Sequence, residues 1–304
     1  LYFLTVSGVV NIILNIVFVL FFHLDVEGVA IATVISQVIS AVLVILCLMR
    51  QDTMCKLELK KLCIHADMLR QIFRIGLPAC IQNSVFSLSN MLIQSSVNSF
   101  DAPYVEAGRT PYTSGNAASS NIENFIYTAM NAFYHASLNF TGQNYAAGKY
   151  KRTKRILGQC VACVLVVGIS LGAICLIFGE PLLKIYIPRD EEAVAFGYER
   201  LVLICSTYFL CGVMDVLVGQ LRGLGRSTVP MIVSIIGICG FRIGWIYTYF
   251  AVHREWLVLF WSYPISWLLT AAVHLICYLV IAHKFPKEKD GTEDSSPVQS
   301  TVSG

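Results

Sequence analysis

Residues 149–178 read KYKRTKRILGQCVACVLVVGISLGAICLIF. Five of the first seven side chains are basic, and none from Ile156 to Phe178 carries a charge. A helix of about 20 apolar residues spans the hydrocarbon core of a bilayer, and basic side chains anchor its end at the lipid–water interface. This stretch is therefore expected to cross a membrane, and it sets the solvent in which the rest of the chain is read.

Seven further apolar runs lie around it: Leu1–Leu24, Gly28–Met49, Ile72–Phe100, Ile122–Phe140, Ala193–Val218, Val229–Val252 and Trp256–Ala282. Composition agrees. The 304 residues are 56% hydrophobic and 13% charged, with a mean hydropathy of +0.66. A soluble domain carries about a quarter charged residues, and a soluble chain of this composition would expose large apolar patches. We expect an all-α fold, a polytopic helical bundle of eight transmembrane helices.

Several function classes recede at once. The net charge of +3 comes with no basic stripe interleaved with aromatics, so nucleic acid is not an expected partner. The 11 cysteines read as free thiols rather than a disulfide framework. Cys160 and Cys163 form a C-x-x-C inside an apolar helix with no second pair, so no metal site is expected. No nucleophile–base pair emerges, although a dyad across spans stays open; the expectation is a protein that is not an enzyme and uses no cofactor.

Basic residues alternate between loops. Every second loop, starting after span two, holds 16 of the 22: six from Arg50 to Arg74, five from Lys149 to Arg155, then Arg222 and Arg226, then Lys284, Lys287 and Lys289. The opposite loops hold only Arg109, Lys184, Arg189 and Arg254. The positive-inside rule puts the C-terminus on the cytoplasmic side of a cell membrane. The long charged stretch 51–71 reads as a linker. It separates two spans (1–50) from six (72–283), and a polar tail (284–304) is expected to be disordered. Leu1 already sits inside an apolar run, so upstream sequence is expected.

Polar groups in lipid cost free energy unless partnered, so their spacing is informative. Span three carries Asn83, Ser87, Asn90, Gln94 and Asn98, and span four carries Asn124, Thr128, Asn131, His135 and Asn139. Both sets advance by three or four residues and lie on one helix face. One or two such groups would serve as interhelical hydrogen bonds; ten in two stripes point to the wall of a water-accessible cavity. Asn11 and Asn15 share a face of span one, and Thr33, Gln37 and Ser40 share one of span two. These oxygens suit a hard cation or plain packing. Asp215, inside an apolar helix, is a functional candidate by default; the alternative is a structural partnership with Arg222 or Arg242. Glu123, Glu199, Arg200 and His274 also lie at membrane depth. Gly168-x-x-x-Gly172 and Gly240-x-x-x-Gly244 are small-residue packing motifs.

Five segments resemble the MATE (multidrug and toxin extrusion) family of antiporters. They are Arg74-Ile75-Gly76-Leu77-Pro78 with Gln82, Asn121-Ile122-Glu123-Asn124-Phe125, Phe140-Thr141-Gly142-Gln143-Asn144-Tyr145 running on to Lys149, Leu221-Arg222-Gly223-Leu224-Gly225-Arg226-Ser227 with Pro230, and Gly28-Val29-Ala30-Ile31-Ala32-Thr33. The resemblance covers residues 1 to about 285. It implies twelve helices in two six-helix lobes, of which this chain holds the last two of the N-lobe and all of the C-lobe. It also implies export of amphipathic or cationic compounds in exchange for Na⁺ or H⁺, by a monomer whose N-lobe is required.

The resemblance is nearer to the DinF-like branch than to the NorM-like one. For DinF-like members the resemblance implies a cation site at Asn11, Asn15 and Thr33, with Asn15 standing where the family has an Asp. The NorM-like acids fall at Phe86 and Cys211, and Asp215 lies one turn beyond the latter. Residues 101–114, with Pro103 and Pro111, read as irregular. A lipid-linked oligosaccharide flippase of the same superfamily is the alternative, with Arg200 and Arg242 as its phosphate-binding cations.

Overall fold

The computed structural model describes residues 2–24, 26–50, 56–58 and 63–286. Eight long helices account for most of them: α1 (Tyr2–Leu20), α2 (Val26–Arg50), α3 (Ala66–Phe100), α4 (Pro111–Ala146), α5 (Tyr150–Tyr186), α6 (Glu191–Gly223), α7 (Thr228–Val252) and α8 (Trp256–His283). No strand occurs among the described residues. Six of the eight are long and apolar enough to cross a membrane by length and composition; α3 and α4 fall short because of their polar stripes. The chain divides into two compact units between Met68 and Leu69. The expected linker lies partly outside the described residues, and α3 begins within its C-terminal part. The expected disordered tail, from Lys287 on, lies outside them too.

The first unit pairs α1 with α2. Its contact runs through small and polar groups: the Ser7 hydroxyl donates to the Ser36 carbonyl at 2.8 Å, and Gly28 and Ala32 let the helices approach. The opposite face of α1 exposes Val9, Ile12, Ile13 and Ile16, as a lipid-facing surface does.

In the second unit α6 is central, packed against α4, α5 and α8. Without a hydrophobic drive between helices in lipid, association rests on close van der Waals packing and interhelical hydrogen bonds. Both are present. Gly168 and Gly172 of α5 face α6 so closely that a Cβ at Gly172 would lie 2.7 Å from the Cys205 carbonyl oxygen. Gly115 of α4 meets Gly197 of α6, where the Ser119 hydroxyl donates to the Gly197 carbonyl at 2.6 Å. The Gly240/Gly244 motif behaves otherwise: nothing lies within 4 Å of a Cβ at Gly244, so it makes no close helix contact.

A buried seam around Gln220 joins three helices. Its side-chain oxygen accepts from Thr141 at 2.6 Å, its amide donates to the Thr153 carbonyl at 3.2 Å, and Ser137 donates to the Val216 carbonyl at 3.0 Å. In α7 a π-helical segment, Ile235–Gly240, interrupts the α-helix just before Arg242.

The segment with Pro103 and Pro111 is irregular only as far as Thr110. Ala102–Ala107 is a 3₁₀ helix, and α4 starts at Pro111, eleven residues before the apolar run. Proline suits a first helical turn because its missing N–H would be unpaired there. Asp101 satisfies the next donors: its two carboxylate oxygens accept from the Tyr112 and Thr113 amides, both at 2.9 Å. Nearby, Asp190 caps α6 through the Ala193 amide, and Arg109 bridges Asp190 and Glu192. The Tyr104 hydroxyl donates to Glu192 at 2.6 Å, which raises the phenol's pKa above its ordinary value.

Candidate functional site: a polar cavity between α3, α4 and α6

Two of the sequence motifs meet in space. Gln82, one turn past Pro78 on α3, accepts a hydrogen bond at 2.8 Å from Nη2 of Arg222, which lies near the end of α6. The other arm of that guanidinium, Nη1, donates to the Tyr134 hydroxyl of α4 at 2.7 Å, and its carbon lies 5.9 Å from the Tyr134 ring centroid. One arginine thus ties three helices. A planar fork with several fixed donors suits that task better than a lysine would.

Beside this tie opens a cavity of about 340 Å³, lined from α3 by Asn83 and Phe86, from α4 by Tyr127, Asn131 and His135, and from α6 by Asp215 and Val218. The size falls within the range of small-molecule pockets. Its chemistry is mixed: one carboxylate, one guanidinium, two phenols, an imidazole, three carboxamides and the Phe86 ring. Such a wall offers aromatic faces and one acid to an organic cation, and hydrogen-bond partners of both kinds.

Of the substrate-cavity residues expected from sequence, Asn83, Asn131 and His135 come together here with Asp215. The others lie elsewhere along the stripes. Ser87 donates to the Asn83 carbonyl and Thr128 to the Asn124 carbonyl, and Asn90, Asn124 and Thr128 are exposed. Gln94 joins Asn98 and Asn116 in a second hydrogen-bonded group towards the Phe100 end of α3. Asp215 keeps Arg222, not Arg242, as its cavity neighbour. Tyr127 and Tyr134 were not anticipated. Seven residues apart, they sit beside Thr128 and His135 at the stripe's own spacing, and that periodicity is the signal that could have found them.

The expected cation set sits in the first unit, where the Asn15 side-chain oxygen is buried and accepts no hydrogen bond. Asn15 donates to Asn11 Oδ1 at 3.1 Å, Asn11 donates to Ser36 at 3.2 Å, and Thr33 donates to its own helix at the Val29 carbonyl, 2.8 Å away. Of these contacts only the one from Asn11 to Ser36 joins the two helices.

Three further membrane-depth charges are engaged away from the cavity. Arg200 and Glu123 form a buried bidentate pair, Nη1 to Oε1 at 2.8 Å and Nη2 to Oε2 at 2.9 Å, with the Phe260 ring 5.0 Å from the guanidinium carbon. Arg242 is buried over the Tyr263 ring at 3.8 Å and bonds Ser266 through Nε at 3.2 Å. His274 is fully buried in α8. The ten cysteines among the described residues are free, and no group of three or more metal-ligating side chains occurs among them.

The chain matches the MatE family over residues 78–248. It is similar to the probable multidrug resistance protein NorM of Thermotoga maritima, at 22% identity over 73% of this chain and 46% of that protein. It is 27% identical to the probable multidrug resistance protein YpnP of Bacillus subtilis over 84% of this chain and 54% of the relative. An outward-facing structure of a multidrug resistance MATE family transporter of the MOP superfamily superposes with a TM-score of 0.78 and 16% identity, covering 91% of this chain and 60% of its own. At that identity the likeness shows the fold. The chain spans about half the length of the curated relatives it matches.

Proposed function

The chain belongs to the MatE family, whose matched region includes the cavity between α3, α4 and α6, and from that premise we propose that it is part of a secondary active exporter of amphipathic or cationic compounds, driven by Na⁺ or H⁺. The observation that carries this reading is Asp215 in a polar and aromatic cavity. A carboxylate there takes an organic cation from the bilayer side, where its charge is poorly solvated and the attraction strong. A proton or Na⁺ competes for the same charge. Loading one therefore releases the other, which is the thermodynamic requirement for exchange, and differential affinity in two states of the protein turns exchange into transport. The Lys149–Arg155 end of α5 and the C-terminal end of α8 face the cytoplasm in this reading.

The flippase reading is not favoured. It relied on Arg200 and Arg242, and these are held by Glu123 and by Tyr263 respectively. The NorM and YpnP relatives both carry multidrug resistance names.

The test is a dye-efflux assay in cells expressing the intact protein, comparing wild type with Asp215→Asn at matched membrane levels. Wild type should lower ethidium retention several-fold, and the variant should restore it to that of cells lacking the protein. Equal export by the variant would remove Asp215 from the mechanism, and no export by wild type would overturn the reading.

A further inference from the structure

Another groove in the second unit is separate from the Asp215 cavity. It lies between the C-terminal half of α4 and the first half of α5 and encloses about 760 Å³. One end is basic, with Lys149, Arg152 and Arg155, and no acidic residue lines the groove. Gln143, Asn144 and Gln159 add neutral hydrogen-bonding groups. The walls then become apolar: Phe140, Ala136 and Phe133 on α4, Ile156, Cys160 and Cys163 on α5. Phe140 follows Asn131 by nine residues, which at about 100° per residue puts it half a turn away from the polar stripe. The groove thus opens on a face of α4 that does not serve the cavity.

A cationic mouth at the interface that continues into an apolar channel at membrane depth matches one kind of molecule, an anion with a hydrocarbon tail. We propose that this groove binds an anionic phospholipid, its phosphate held by Lys149, Arg152 and Arg155 and one acyl chain lying along Ala136, Phe140 and Ile156. Arginine forks suit phosphate oxygens, and the positive end of the α5 dipole adds to the attraction. Interhelical basic pockets at the membrane surface have this chemistry in general. The motif from Phe140 to Lys149, which the cavity leaves unused, supplies Gln143, Asn144 and the turn at Gly148, where φ is +72°. That left-handed turn brings Lys149 back over the mouth of the groove. Surface basic residues alone would attract any anionic membrane; the apolar wall is what makes this a site for an individual lipid.

The experiment is native mass spectrometry of the intact protein released from detergent micelles, titrated with dioleoylphosphatidylglycerol or dioleoylphosphatidylcholine. The phosphatidylglycerol adduct should form preferentially. The triple variant Lys149→Gln/Arg152→Gln/Arg155→Gln should bind it on the order of 100-fold more weakly, since each basic side chain near an anionic lipid contributes about fivefold. Ala136→Trp, which keeps every charge and fills the apolar wall, should also lose the adduct, and sn-glycerol 3-phosphate should not compete. Arg226→Gln/Lys284→Gln, altering basic residues of a neighbouring groove, should bind as wild type does. Melting temperatures without lipid show whether each variant is folded; if the triple variant is not, Ala136→Trp decides. Equal binding of the two lipids, or undiminished binding by folded triple variant or by Ala136→Trp, would overturn the proposal. So would competition by glycerol phosphate, which would leave a simple anion site.

Discussion

Arg200 and Glu123 show how a single pair of residues is held at membrane depth. Both charges are almost fully removed from solvent, and each carboxylate oxygen meets its own guanidinium nitrogen. Removing one partner leaves the other stranded, at a cost of about 3–5 kcal/mol, whereas removing both together can be nearly neutral. We therefore expect Glu123→Leu and Arg200→Leu each to lower the melting temperature of the detergent-solubilised protein markedly, and the double variant to recover most of the loss. Additive losses would mean that the pair is not coupled. Asp215 is a different case. It lines an open polar cavity, and its substitution is expected to affect transport while leaving the fold intact. The sequence singled out Asp215 but could not show that Glu123 is paired. Glu123 and Arg200 are 77 positions apart, and nothing in their local patterns says that they meet.

At the scale of helices, glycine position decides which elements can approach. A methyl group at Gly172 or Gly197 would press on backbone atoms of the neighbouring helix, 2.7 Å from the Cys205 oxygen and 3.0 Å from the Gly115 oxygen. Backbone cannot swing aside as a side-chain tip can. Gly172→Ala and Gly197→Ala should each destabilise the unit by about 1–3 kcal/mol, the usual range for overpacking. Gly244→Ala should be neutral or stabilise α7 by up to about 1 kcal/mol, since alanine is the better helix former and the space is open. Melting curves of the three variants check this, and equal losses in all three would refute it. Both motifs carry the same G-x-x-x-G spacing. The difference lies in what each faces: Gly172 meets the backbone of α6, whereas Gly244, beyond the π-helical segment Ile235–Gly240, meets open space. The start of α4 shows the reverse limit. The prolines mark an irregular stretch, but Pro111 sits where a helix can begin, and the capping carboxylate of Asp101 comes from ten positions earlier, beyond a 3₁₀ turn.

For the molecule as a whole, the polar stripes of α3 and α4 predict which positions water reaches. In a protein whose native cysteines have been replaced, thiols introduced at Asn90 and Asn131 should react with a membrane-impermeant maleimide. One at Met130, buried against Gly168 and Gly212, should not. Unreactive thiols at both stripe positions would remove the water-accessible cavity. The chain is a multi-pass membrane protein of the MatE family and spans about half the length of its curated relatives.

The sequence by itself determined the solvent, the all-α class, the helix positions to within about a turn for α1, α2, α7 and α8, and the motifs that resemble the family. These are local quantities: a run of apolar residues has one low-energy conformation in lipid, because only a helix satisfies its own backbone there. It also marked Asp215, Asn83, Asn131 and His135 individually. Only the tertiary structure decided that these four share one cavity, that Gln82 and Arg222 close its edge, and that Arg200 and Arg242 are engaged elsewhere. Which side chains meet depends on helix rotation and crossing across some 140 residues of chain, and a periodic pattern defines a face without naming the neighbour that face will touch.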